Sequence, residues 1–172
     1  EILLTGLGHH VAAGKITNSE FAALMVRNTI LPNPATYQDT VIQQWRMADL
    51  RIKPLELILA SMDMLGREYG IEHAFLSPNE LMRVIIPLAG DQATVSVCCH
   101  AVYEYRTGKL DVTAWPDCVP NANDKRLARE FLLFLENFGI CQIKYSDNKE
   151  NNDKRFYLDQ VLSDEIRPDI QR

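Results

Sequence analysis

The stretch from Asp124 to Leu158 restricts the fold more than any other part of the chain. Leu127, Phe131, Phe134, Leu135 and Phe138 recur at the spacing that places side chains on one face of an α-helix. Gly139 follows, the residue type best suited to the left-handed conformation that closes a helix. Ile140-Cys141-Gln142-Ile143-Lys144-Tyr145 then alternates as a strand does, Ser146 to Asp153 is a polar turn, and Arg155-Phe156-Tyr157-Leu158 returns as a second strand. A helix that runs straight into a hairpin with a polar tip is the pattern of a winged helix. The expected fold is therefore mainly α with small β-hairpins, arranged as two winged-helix (helix-turn-helix) subdomains.

Upstream, the punctuation between elements is clear. Thr17-Asn18-Ser19-Glu20 is a capping box that starts a helix with Phe21, Leu24 and Met25 as its apolar face, stopped by Leu31-Pro32-Asn33-Pro34. Ile2 to Gly8 suggests the end of a strand entering a tight turn, whereas residues 35–51 carry no readable period. Pro54 opens a helix whose Leu55, Ile58, Leu59, Met62 and Leu65 point one way, and Gly70 stops it. Ser77-Pro78-Asn79-Glu80 combines an N-cap serine, an N1 proline and a glutamate at N3, with Leu81, Val84, Ile85 and Leu88 as the buried stripe and Pro87 with Gly90 as the stop. A further helix is expected from about Asp91 to Tyr105, before a Pro- and Asn-rich linker. The division that follows is 1–51, an N-terminal subdomain; 52–106, a helical subdomain; 107–123, a linker; and 124–172, the recognition helix, the wing and the start of a following segment.

Composition narrows the class. Hydrophobic residues make up 47% and charged residues 24% of the 172, the balance of a chain that folds rather than stays disordered. No run reaches the roughly 18 apolar residues of a membrane span, so no membrane partner is expected. The N-terminus has no basic-apolar leader and begins at Glu1, which suits a fragment of a longer cytoplasmic protein. A net charge of −5 argues against a simple nucleic-acid binder, although the field over one face matters more than the sum.

The residues offer no active site. Pro116-Asp117 has no acid-x-lysine strand behind it, Glu150 to Lys154 has the wrong spacing, and Glu104-Tyr105-Arg106 carries arginine where a PD-(D/E)xK nuclease needs lysine. Thr5-Gly6-Leu7-Gly8 lacks the remaining glycine of a dinucleotide loop and the GK[ST] of a P-loop. His9-His10 is not HExxH, and Cys98, Cys99, Cys118 and Cys141 match no zinc spacing, so the cysteines read as core residues. No catalytic residue, metal ligand or bound cofactor is expected in this chain.

Basic residues are placed more suggestively. Lys125, Arg126 and Arg129 fall in the first turns of the helix before the hairpin and off its apolar face. That is where a helix-turn-helix module meets base edges. Lys144, Lys149, Lys154 and Arg155 decorate the hairpin among Asn148, Asn151 and Asn152, which suits a wing lying on phosphates. A solvated helix face and a soluble loop tip account for the same residues equally well.

The order of the segments resembles the DNA-recognition region of type IIS restriction endonucleases and related nicking endonucleases. The matching pieces are Leu4-Thr5-Gly6-Leu7-Gly8, Ile52-Lys53-Pro54-Leu55, Leu76-Ser77-Pro78-Asn79-Glu80-Leu81, and the helix from Arg129 that ends in Gly139-Ile140 and enters the hairpin. The resemblance spans roughly Leu3 to Leu158. It implies the specificity half of an endonuclease that reads an asymmetric site in double-stranded DNA. Cleavage, with its Mg²⁺, would fall to a separate domain or subunit. No base-contacting residue carries over. The alternative expectation is a winged-helix protein-interaction module within a larger assembly, which the acidic charge favours.

Overall fold

The computed structural model describes residues 5–32, 46, 47, 49–115, 122–144 and 150–159. Helices dominate, with one small antiparallel sheet.

Helix α1, Gly6–Ala12, begins where a turn is expected: Thr5 caps it, its hydroxyl accepting from the Gly8 N–H. His9 and His10 both lie exposed on it. Helix α2, Asn18–Asn28, carries the full Thr17/Glu20 capping box. Its buried residues are Ala22 and Val26 rather than the expected Phe21, Leu24 and Met25. The small side chains let α2 sit close to the core, while Phe21 reaches along the edge to Phe138, ring centroids 5.7 Å apart.

Helix α3, Pro54–Tyr69, is the centre of the molecule; Leu55, Ile58, Leu59, Met62 and Leu65 are each at most 2% exposed. Gly70 ends it at φ 105°, a conformation that side-chain-bearing residues rarely adopt. A 3₁₀ turn, Ile71–His73, leads into strand β1, Phe75–Leu76, which no period in the sequence announced.

Helix α4 follows in three segments: Pro78–Glu80, a π-helical stretch Leu81–Ile85, and Ile86–Gly90. Proline inside a helix removes a donor and crowds the preceding turn. The wider π turn ends just before Pro87, so the proline is taken inside and the stop falls at Gly90 alone. Helix α5, Val95–Arg106, is capped by Thr94, and helix α6, Ala122–Asn137, precedes the hairpin. The most buried residues of α6 are Ala128, Leu132 and Leu135, so its inner face is turned slightly from the predicted one; Leu127, Phe131, Phe134 and Phe138 flank it.

After Gly139, at φ 72°, strands β2, Cys141–Ile143, and β3, Phe156–Leu158, form the predicted hairpin. β3 is central: Phe156 pairs with Ile143 on one side and Leu76 on the other, giving the order β1-β3-β2. The β elements are thus one three-stranded sheet rather than separate hairpins. Phe156 and Leu158 point into the core, and Tyr157 points out. One hydrophobic cluster unites α2, α3, β1, α4, α5, α6 and both hairpin strands. The segment expected to be a linker contributes Val112, 3% exposed, to that same core.

Candidate nucleic-acid interface

Helix α6 is amphipathic, and its inner face is fixed by Ala128, Leu132 and Leu135 at 0% exposure. Lys125, Arg126 and Arg129, in its first turns and on its flank, are all exposed. The described residues just before β3 reach this side through Asn152. Lys125, Arg126, Arg129, Glu130 and Leu133 of α6, with Asn152 from the turn, line an open groove of about 370 Å³. Arg126 and Glu130 form a loose i,i+4 ion pair, Nε to Oε1 3.8 Å, with both side chains more than half exposed. A pair of this kind is weak, on the order of 0.3–0.5 kcal/mol, and does not hold the guanidinium away from a competing anion.

The other described hairpin cations are elsewhere. Lys144 Nζ sits 4.0 Å from the centre of the Tyr157 ring. Arg155 lies over the Phe75 ring at 4.7 Å and donates from Nη1 to the Tyr157 hydroxyl at 3.5 Å. Arg155 and Tyr157 are two residues apart on one strand and share a face, so these cations gather on the aromatic outer side of the sheet rather than in the groove. Lys154 is half-buried, and Lys149 lies outside the described residues.

Three further residues line the groove, and of these only Leu133 went unnoticed as an interface residue in the sequence. Glu130 places a carboxylate among the cations of the groove itself. Leu133 supplies an apolar spot on the groove floor, and Asn152 closes it from the hairpin. Asn152 belongs to a run of asparagines that marks a turn, but nothing local says which of them meets α6.

Other polar clusters serve the fold. Arg106, dismissed as the lysine position of a nuclease motif, is a buried clamp between α5, β1 and α4. Cys98, Cys99 and Cys141 are at most 1% exposed, and burial pushes their thiols up to about 11, about 12 and about 12 respectively. Cys99 donates to the Ser61 carbonyl, and Cys141 packs on the Met62 sulfur. Cys118 lies outside the described residues. Among the described residues, no three His, Cys, Asp or Glu side chains gather closely enough to hold a metal ion. Nor is any described helix long and apolar enough to cross a membrane.

No protein-family model, curated protein or solved structure matches the chain.

Proposed function

We propose that this chain is a duplex-DNA-reading module of winged-helix type. In this reading it is the specificity part of a restriction-endonuclease-like cytoplasmic protein whose cleavage domain and Mg²⁺ are supplied elsewhere. The observation that carries the reading is the groove in which Lys125, Arg126 and Arg129 face Asn152 of the hairpin.

The chemistry of the groove suits DNA. Three cations on the first turns of one helix suit contact with the phosphates and base edges of a major groove. Arginine pairs with guanine through two hydrogen bonds, worth about 1–3 kcal/mol of discrimination, and asparagine does the same with adenine. Lys144 and Arg155, across the sheet, suit phosphate contacts that position the module without reading sequence. A net charge of −5 requires that binding rest on this local field, so affinity is modest and falls with salt.

The test is a gel-shift series on a pool of random duplexes, with selection of the retained fraction. An enriched sequence for the wild-type chain, lost in the Arg126→Ala/Arg129→Ala double variant, supports the proposal. Retention of no duplex at low salt removes it and leaves the acidic protein-interaction module as the standing alternative.

A further inference from the structure

The wall of the groove that Asn152 supplies is held from behind, by a residue that does not line the groove. The Asn79 backbone N–H donates to the Asn152 carbonyl at 2.9 Å, and the Asn79 side-chain amide donates to Asp153 Oδ1. Asn79 stands in the first turn of α4, directly after Pro78, where backbone N–H groups have no acceptor within the helix. The hairpin turn takes up that spare donor. The start of α4 is itself rigid: Ser77 and Glu80 cap each other's backbone N–H groups, and Arg106 grips Glu80 from α5. The turn is therefore fixed to a helix start that is itself capped and ion-paired, across 74 positions of sequence.

We infer that Asn79 is the positioning residue of the interface, holding Asn152 opposite Arg126 and Arg129 so that the groove exists before a ligand arrives. The inference rests on the DNA reading above and adds to it a residue that touches no DNA. Hydrogen-bonding side chains recognise a partner only when held within a fraction of an ångström of their productive position, and a wall ordered in advance spares the cost of ordering it on binding. Arg126 and Arg129 sit on a packed helix, whereas Asn152 sits on a turn. The turn is the part that needs the anchor.

Four single variants, one double variant and two readouts test it. Asn79→Ala and Asp153→Ala remove the side-chain bond, and Asp153→Asn keeps an oxygen able to accept it. In the free protein, the first two are expected to speed amide hydrogen exchange in residues 150–153, with α6 exchange and the melting temperature unchanged. The affinity of Asn79→Ala for the selected duplex is expected to fall about five- to tenfold with the salt slope unaltered, since no charge is lost. Asp153→Asn restores the slow exchange, and in affinity Asn79→Ala adds nothing on top of Asn152→Ala, because it acts through that residue.

Unchanged exchange in Asn79→Ala overturns the anchoring role of the Asn79 side chain. Faster exchange with undiminished duplex affinity, or additive losses with Asn152→Ala, overturns the link to binding. A wild-type chain that binds no duplex at all refutes the DNA reading and the binding half of this inference. The exchange arm reports on the anchor in either case.

Discussion

Arg106 Nε donates to Glu80 Oε1 at 2.6 Å, and the two side chains are 9% and 8% exposed. The same guanidinium donates to the carbonyls of His73 and Phe75 and lies 3.7 Å over the Phe75 ring. Glu80 also accepts from the Ser77 N–H at 2.8 Å, so one buried pair ties the start of α4, strand β1 and the end of α5 together.

Glu80→Ala leaves that guanidinium buried without its counter-ion. The loss is expected to be about 3–5 kcal/mol, far above the roughly 0–1 kcal/mol of an exposed pair. Urea unfolding measures it; a midpoint that hardly moves shows that the pair adds nothing to the fold.

Gly66 lies inside α3, where alanine ordinarily favours the helix by about 1 kcal/mol. Here an added Cβ would meet the Ala74 Cβ at 2.8 Å. Ala74 cannot turn away without moving its backbone, so overpacking, about 1–3 kcal/mol, outweighs the propensity gain. Gly66→Ala is expected to lower the melting temperature; a rise shows that the chain after α3 shifts easily.

Burial raises the thiols of Cys98, Cys99 and Cys141 from an ordinary value of 9.0 to about 11, about 12 and about 12. Above pH 9 the unfolded chain therefore releases protons that the folded chain keeps, and stability falls with rising pH through the window from about 9 to about 12. Below that window these thiols are neutral in both states and contribute no slope. Peptide-resolved alkylation at pH 8 is expected to leave all three unmodified until denaturant is added; rapid labelling of any one in the native protein contradicts its placement.

Glu130 shares the groove with the three cations and pairs loosely with Arg126. A carboxylate there repels phosphate, and removing its charge frees the guanidinium. Glu130→Gln is expected to raise duplex affinity about two- to fivefold at low salt, with the gain shrinking as salt screens it. Unchanged affinity places the DNA path away from this part of α6.

Local signals in the sequence led to the correct places, and distant ones could not be seen. Both capping boxes, the stop at Gly70 and the closure at Gly139 depend on a few adjacent residues, and all are present. Thr5 misled because a hydroxyl before glycines suits a turn and a helix cap alike. On α2 and α6 the large residues drew the predicted inner face, while the close packing falls on small or neighbouring ones: Ala22, Val26, Ala128 and Leu132. β1 is two residues long and gains its identity only from pairing with β3, so no period marks it. The partners of Arg106 and Asn79 come from segments far along the chain, and a single sequence holds no trace of such meetings. The cations of α6 were legible because helical periodicity alone turns them outward; their meeting with Asn152 was not.

The central claim, that the face of α6 bearing Lys125, Arg126 and Arg129 binds duplex DNA, is tested most directly by affinity across a salt series. Fluorescence anisotropy with a labelled duplex is to be followed for the wild-type chain and for Arg126→Ala/Arg129→Ala. The account predicts a log–log line for the wild type that falls with salt, and for the variant weaker binding with a slope shallower by about 1 for each lost phosphate contact, at an unchanged melting temperature. Equal affinities and equal slopes in two well-folded proteins would contradict it.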